Sequence, residues 1–192
     1  MKAVIIDSCN EADSVLSDYI STFKSCLNES GVQFIHHQLE KKDISFCKGC
    51  FGCWVKNPGK CVMTDDMEDI LKDTICSDMM IMIAPLKMGF INHLMKKVQD
   101  RLIPLLHPYL ELINNECHHS KRYENYPLIS LIVVPEEDTD EKDMEIVGEI
   151  HQRFALNFMS ELVFFATTEA KAEECAETIV TFSPTKIKAE RQ

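Results

Sequence analysis

The chain has 192 residues, 45% of them hydrophobic, which is enough to bury the core of one domain of generous size. Its formal net charge of −11 argues against a nucleic-acid partner, because affinity for a phosphate backbone comes from clustered Lys and Arg. The nine cysteines, with neither a charged-then-apolar leader nor an apolar run of membrane-spanning length, predict a cytoplasmic protein without a membrane partner or a disulfide scaffold.

Apolar, strand-like runs alternate with amphipathic segments in the first half of the chain. The pattern predicts strands at 3–7, 32–36 and 78–84, with helices at 14–30 and 65–76 between them. The continuous apolar run of the first strand is typical of a parallel strand covered on both faces. Thr64 is the expected cap of the second helix, and the acidic residues near its start are interpreted as capping charges: Asp65, Asp66, Glu68 and Asp69.

The same alternation continues through the second half. It predicts helices at 92–106, 141–158 and 169–181, and strands at 128–134 and 161–166. The segment 107–127 contains Pro108 and Pro127 and breaks the pattern, so we interpret it as an inserted excursion. With no internal repeat and no linker, the sequence predicts one doubly wound α/β domain over residues 1–182 and a polar tail over 183–192.

The predicted topology indicates where a ligand would bind. In doubly wound sheets, ligands lie outside the carboxyl ends of the strands, at the point where the strand order reverses. The loops at that edge are residues 8–14, 85–91 and 135–139. We therefore expect the site in these three loops, with the cysteine-rich segment 47–61 entering near the same edge.

The cysteine-rich segment is the strongest candidate for metal or redox chemistry. Its spacing allows four thiolates to converge, and it fits an iron–sulfur cluster better than zinc, which more often uses two separated Cys-x-x-Cys pairs. The alternative is that the four are reduced thiols in a tight Gly-rich loop. Phe51 and Trp54 would shield a cluster from water or serve as core or dimer contacts. The candidate ligands are Cys47, Cys50, Cys53 and Cys61.

Several motifs together carry a resemblance to a known family. They are Cys47-x-Gly49-Cys50-Phe51-Gly52-Cys53-Trp54, Pro58-Gly59-x-Cys61, Asp65-Asp66 and Lys96-Lys97-x-x-Asp100-Arg101. This combination resembles the NAD(P)H-dependent FMN reductase and iron–sulfur flavoprotein family. The resemblance implies a flavodoxin-like five-stranded parallel sheet in the order 2-1-3-4-5 with helices on both faces. It also implies FMN at the strand ends, a homodimer or higher oligomer, and two-electron chemistry with a nicotinamide donor.

The resemblance also designates cofactor-binding positions. Relatives carry a Gly-Ser-Pro-Arg type phosphate loop after the first strand, where this chain has hydroxyl and amide side chains but no Gly or Arg. Glu11 and Asp13 in this loop would repel a phosphate dianion. Lys87 replaces an aromatic residue of the flavin loop and either lies near the flavin edge or is solvated. The candidate cofactor-binding residues are Ser8, Asn10, Ser14, Pro85, Leu86, Lys87, Met88, Gly89 and Pro135.

The remaining polar motifs favour structural roles. Neighbouring side chains of an extended segment point to opposite sides, so His118 shares a face with Glu116. A structural or interface role is predicted for this histidine rather than metal binding. The sequence at Asp100 and Arg101 suggests a buried ion pair that anchors the third helix.

Three functions from different classes follow from these observations. The first is an FMN-dependent oxidoreductase that passes electrons from NAD(P)H to a small acceptor such as a quinone or a flavin. The second is an iron–sulfur flavoprotein that transfers electrons to a protein partner. The third is a flavodoxin-like protein that has lost FMN and serves as a binding or structural module.

Overall fold

The apolar runs of the sequence form parallel strands, and the amphipathic segments between them form helices. The computed structural model describes residues 1–113 and 115–182. Within them the strands are β1 (Lys2–Asp7), β2 (Gln33–Gln38), β3 (Met79–Lys87), β4 (Phe90–Ile91), β5 (Leu106–Ile113), β6 (Glu116–Lys121), β7 (Leu128–Val134) and β8 (Leu162–Thr167). The helices are α1 (Ser14–Glu29), α2 (Gly52–Val55), α3 (Met67–Ile75), α4 (His93–Asp100), α5 (Glu141–Asn157) and α6 (Ala172–Thr181).

The main sheet has the order β2-β1-β3-β7-β8, and all of these neighbours pair in parallel. This is the predicted flavodoxin-like order, with the short strand β4 and the two strands of the inserted hairpin taking up three strand numbers. The short strand β4 folds back antiparallel onto the end of β3. The point where strand order reverses therefore lies between β1 and β3, as expected for a doubly wound sheet.

Helices cover both faces of the sheet, and successive residues of β3 face alternate sides. Met80 and Met82 point into a core shared with α3, α4 and α5. Met79, Ile81 and Ile83 point into a second core shared with α1 and α6. The central strands are buried on both faces, which is why they read as continuous apolar runs rather than as alternating ones.

The helices differ from their predicted bounds, most of all at the end of α4. The predicted helix at 92–106 ends as α4 at Asp100, and a 3₁₀ turn at Ile103–Leu105 follows it. Pro104 lies in that turn, and it has no N–H to continue an α-helix and disfavours helical geometry in the residue before it. Thr64 is not the cap of α3, whose cap position is Asp66.

The predicted excursion at 107–127 is largely a β-hairpin. Strands β5 and β6 pair antiparallel and leave the main sheet.

The predicted tail at 183–192 lies outside the described residues. The single-domain boundary at 1–182 stays a prediction. In the part of the chain that the structure describes, no helix combines the length and the apolar character needed to cross a membrane.

His151 is a fully buried titratable residue in the core beneath α5. Its Nδ1 lies 2.7 Å from the carbonyl oxygen of Val147, and its ring packs against Phe90 and Phe154. Among residues 1–113 and 115–182, its Nε2 has no hydrogen-bond partner. Burial lowers the pKa of this imidazole below its ordinary value of 6.5, so the folded protein favours the neutral ring.

We expect His151→Leu to weaken the dependence of stability on pH. Below pH 6.5 the unfolded chain takes up a proton on this histidine that the folded chain resists, so wild-type stability falls as pH falls. The substitution removes this proton uptake and an unpartnered buried nitrogen. Together these changes should raise the free energy of unfolding by about 1 kcal/mol at about pH 5.5, relative to the wild type. Urea unfolding at about pH 5.5 and 7.5 measures the difference. His93→Gln, at an exposed position, is the control, and an unchanged pH slope in His151→Leu would contradict the argument.

Candidate functional site

Three loops meet at the carboxyl edge of the sheet, as the topology predicts. Ser8 and Asn10 lie in the loop after β1, and Ser14 is the first residue of α1. Lys87 ends β3, Met88 and Gly89 form the turn after it, and the loop after β7 begins at Pro135. The remaining candidates, Pro85 and Leu86, are the last residues of β3 before Lys87. The structure therefore brings all the predicted cofactor-binding residues to one edge, and their contact with a cofactor stays a prediction.

Ser8 joins the loop after β1 to strand β3. It is buried, its N–H donates to the carbonyl oxygen of Ile83 at 3.0 Å, and its hydroxyl lies 3.3 Å from the same oxygen. Its own carbonyl accepts a hydrogen bond from Asn92 Nδ2 at 2.8 Å. The Ser8 hydroxyl is thus used within the protein, across the point where strand order reverses.

Four backbone N–H groups in and beside this loop are bonded to side chains of the chain itself. A phosphate site in such a loop needs free N–H groups that point at the ligand. Three of the four acceptors here are carboxylates and the fourth is an amide. The bonds run from Cys9 N to Asp7 Oδ1 (2.8 Å), Glu11 N to Glu40 Oε2 (3.0 Å), Ala12 N to Asn10 Oδ1 (2.8 Å) and Leu16 N to Asp13 Oδ1 (3.1 Å).

The two acidic residues of the loop have definite positions. Asp13 is the N-cap of α1, so its carboxylate lies at the positive end of the helix, where a phosphate would bind. Glu11 is paired with Lys41 at 2.7 Å, and this contact lowers the pKa of its carboxyl group. The loop as it stands does not fit the phosphate of FMN.

A polar cavity of about 230 Å³ lies beside this loop. His36, which had no evident partner in the sequence, lies between Lys24 and Asp7: its Nδ1 is 3.4 Å from Lys24 Nζ and its Nε2 is 3.3 Å from Asp7 Oδ2. Burial, reinforced by Asp7, raises the pKa of the Cys9 thiol and keeps it protonated. Sequence reasoning missed Lys24, His36 and Glu40 as neighbours of the loop, because no local motif links residues so far apart in the chain.

The turn after β3 is a tight hairpin whose tip is open to solvent. Met88 and Gly89 have φ values of 54° and 74°, the left-handed pair typical of a two-residue β-hairpin turn. Glu136, from the loop after β7, accepts a hydrogen bond from Met88 N at 2.6 Å and pairs with Lys87 at 3.4 Å. Glu136 therefore links two of the three loops, and Lys87 is an exposed residue paired with it.

The four candidate cysteine ligands line one small cavity of about 20 Å³. Cys53 is buried, Cys61 is half-buried, and Cys47 and Cys50 are exposed. Burial, with a contribution from Cys61, raises the pKa of the Cys53 thiol. Within residues 1–113 and 115–182, no three His, Cys, Asp or Glu side chains are placed to hold one metal ion. The four cysteines border one cavity without forming a ready ligand set, so their role as ligands stays a prediction; thiolate is a donor that iron and other thiophilic metals bind.

Trp54 fixes the cysteine loop to the rest of the protein. Its indole N–H lies 3.1 Å from the carbonyl oxygen of Ile103 and 3.0 Å from that of Leu106. Close packing supports the same arrangement, since a Cβ on Gly52 would lie 2.5 Å from Val62 Cγ1. The loop is therefore anchored to the segment that follows α4.

Arg101 is buried at the wall of the cysteine cavity. Its Nη1 donates to Asp65 and to the carbonyl oxygen of Ser45. The predicted ion pair with Asp100 is wrong, because Asp100 pairs with Lys96 at the surface. Asp65 is likewise the partner of Arg101 rather than a simple capping charge.

The guanidinium of Arg101 keeps unused donors towards the cavity. Burial opposes its charge, but Asp65 and then Cys61 raise its pKa. Neither Nε nor Nη2 has a hydrogen-bond partner in the described part of the chain. A buried cation with free N–H groups beside four thiols favours a negatively charged ligand in the cavity.

His118 has a structural role, in agreement with the sequence. Its Nε2 lies 3.2 Å from Glu116 Oε2 and its Nδ1 lies 3.0 Å from Asn157 Oδ1. Glu116 is also paired with Arg153 of α5 at 2.7 Å. The network holds the inserted hairpin against α5.

Comparison with known proteins gives partial sequence matches and full-length structural ones. No family model matches the chain. An iron–sulfur flavoprotein of Methanocaldococcus jannaschii is 32% identical over 81 residues, which span 42% of this chain and 41% of that protein. An iron–sulfur flavoprotein of Archaeoglobus fulgidus is also 32% identical over 81 residues, 36% of its length. The matched segment thus spans well under half of both relatives.

The structural matches extend over almost the whole chain at low identity. An FMN-dependent NADH-azoreductase of Bacillus anthracis, solved with FMN, has a TM-score of 0.62 at 12% identity and covers 97% of this chain and 98% of its own. The azoreductase AzrA has a TM-score of 0.65 at 12% identity, with 95% and 100% covered. These matches show the flavodoxin-like fold. With the two sequence relatives, they support the resemblance to the flavodoxin-like FMN reductase family.

We expect Asp65→Asn to lower the free energy of unfolding by about 3 kcal/mol, because it leaves the buried Arg101 charge without its partner. Burial opposes the charge of Asp65, but Arg101 and two backbone N–H groups lower its pKa below 3.8. This stabilisation is present above pH 3.8 and is lost as pH falls through the folded-state pKa, so the variant should also lose less stability in acid than the wild type. Urea unfolding across pH measures both effects.

Asp100→Asn is the matched control, since it removes an exposed carboxylate one residue from Arg101. It should change stability by about 0.5 kcal/mol or less. Equal effects of the two substitutions would show that the Asp65 pair is not the stabilising one.

Proposed function

We propose that this chain is a flavin-dependent oxidoreductase that passes electrons from NAD(P)H to a small acceptor such as a quinone or a flavin. FMN is the cofactor that the sequence resemblance implies. The observation that carries the proposal is the meeting of three loops at the carboxyl edge of the sheet, where the strand order reverses between β1 and β3. Doubly wound sheets bind their ligands at this point. The names of the relatives and structural neighbours agree with it.

The protein's part in this chemistry is to hold and expose the flavin. When bound, a flavin supplies the two-electron transfer itself, and no acid–base dyad is required of the protein. The hairpin at Met88 and Gly89 offers an open turn, with Met88 98% exposed, against which a ring can lie. Glu136 fixes this turn relative to the loop after β7.

Gly89→Ala tests the turn as the flavin contact. We expect the affinity for flavin, measured by quenching of flavin fluorescence, to fall about fivefold, because a methyl group would project from the turn. NADH or NADPH should bleach the wild-type flavin spectrum, and a quinone such as menadione should restore it.

Gly31→Ala is the matched control. Gly31 and Gly89 share a φ of 74°, and an added Cβ meets nothing within 4 Å at either position. The two substitutions therefore carry the same backbone strain. Equal losses of flavin affinity in both variants would show that the turn does not contact the flavin. A chain that binds no flavin would refute the proposed function.

An iron–sulfur flavoprotein that transfers electrons to a protein acceptor is the second candidate. Cys47, Cys50, Cys53 and Cys61 border one cavity, and this favours it, together with the unpartnered N–H groups of Arg101. These four thiolates would hold a 4Fe–4S cluster, and Arg101 would donate to its sulfur. Hydrogen bonds to sulfur tune the reduction potentials of such clusters.

Iron and acid-labile sulfide assays on protein purified without oxygen test this candidate. We expect Cys61→Ser to lose most of both, because it removes one of four ligands, whereas Cys76→Ser, at an exposed cysteine after α3, should retain them. Wild-type protein without iron and sulfide would exclude the cluster.

The proposal extends to a cytoplasmic homodimer or higher oligomer. The inserted hairpin supports it, since Tyr109, Leu110 and Leu112 are 70%, 63% and 69% exposed on β5. Contiguous exposed apolar side chains often mark interfaces.

A further inference from the structure

The loop after β1 has the wrong charge for a phosphate. A phosphate dianion is held by free amides and a positive helix end, often with a cationic side chain. Here the carboxylate of Asp13 occupies the end of α1, and Asp7, Glu11 and Glu40 surround the same loop. Two cations lie beside the loop: Lys41 is paired with Glu11, and Lys24 Nζ lies 3.4 Å from His36 Nδ1.

Hydrogen bonds also fix the position of the loop after β1. Ser8 is bonded twice to Ile83 and once to Asn92, which fixes the loop to β3 and to the start of α4. Asp7 is 2% exposed and accepts from Cys9 N, so a phosphate that took this amide would leave a buried carboxylate with one partner fewer. A phosphate that binds at this amide therefore requires a charge-assisted bond to break.

The turn at Met88 and Gly89 contrasts with this loop. Its tip is exposed, and the carboxylate of Glu136 from the loop after β7 accepts a hydrogen bond from Met88 N. Ring contacts and phosphate contacts are thus separable here: the edge offers a surface for a flavin ring without a place for the phosphate.

We propose that this chain recognises its flavin by the ring alone, so that riboflavin and FMN are equivalent ligands. The inference rests on the proposed flavin-dependent function and concerns the same edge of the sheet. It assigns Glu11 and Asp13 as specificity-determining residues that withhold the usual advantage of a phosphorylated flavin.

Titration of the full chain, freed of bound flavin, with riboflavin and with FMN tests the proposal. We expect dissociation constants that agree within about fivefold, or a tighter one for riboflavin. FMN binding tighter than riboflavin by more than about fivefold would overturn the inference while supporting the proposed function. Failure to bind either flavin would overturn the proposed function, and this inference with it.

A double variant tests the two residues directly. Asp13→Ser keeps a good N-cap side chain and Glu11→Gln keeps the size of the side chain, so both remove charge with little change in shape. We expect FMN to bind about tenfold more tightly, with the affinity for riboflavin unchanged. Unchanged FMN affinity would overturn the assignment of these residues.

The control removes the same charge elsewhere. Glu145→Gln with Glu149→Gln neutralises two exposed carboxylates of α5. FMN affinity in this control should match the wild type. An equal gain in the control would show that net charge rather than the loop discriminates against the phosphate, and would overturn the inference.

Discussion

The buried ion pair between Asp65 and Arg101 sets the relative positions of three connections around the sheet. Asp65 precedes α3, Arg101 follows α4, and Ser45, which bonds to both, leads from β2 into the cysteine loop. Both charged side chains are almost fully buried, with Arg101 2% and Asp65 5% exposed. Removing either one therefore leaves the other as an unpaired charge in a poorly polarisable interior. The shape of the cysteine cavity follows from this pair and from the Trp54 anchor.

Patterns of apolar residues were sufficient to predict the sheet. Strand β7 was predicted to the residue, and the order of the parallel strands is confirmed. The amphipathic pattern placed the end of α4 at residue 106, whereas the helix ends at Asp100 and Pro104 lies in the 3₁₀ turn that follows. Local rules misjudged Asp65 because its carboxylate is drawn to Arg101, 36 residues further along the chain. Pairings across such separations are decided by packing, which sequence periodicity does not encode.

The candidate site was predictable where it depends on topology and spacing. Carboxyl ends of parallel strands necessarily meet at one edge, and closely spaced cysteines necessarily lie near one another. The sequence also showed that Glu11 and Asp13 stand in the loop after β1, but it did not show that Glu40 bonds to the amide of Glu11 from 29 residues away. The result is two regions of opposite character: a loop in which three carboxylates accept from backbone N–H groups, and a cavity where a buried cation retains free donors.

The hydrogen bonds within the loop after β1 determine how this part of the protein behaves without a cofactor. In proteins whose cofactor site is made of unsatisfied groups, part of the folding free energy arrives only with the cofactor. Here four N–H groups of the loop and of the start of α1 are bonded to side chains of the chain itself. This part of the fold therefore needs no cofactor to be ordered, and its contribution to stability is present in the newly synthesised chain.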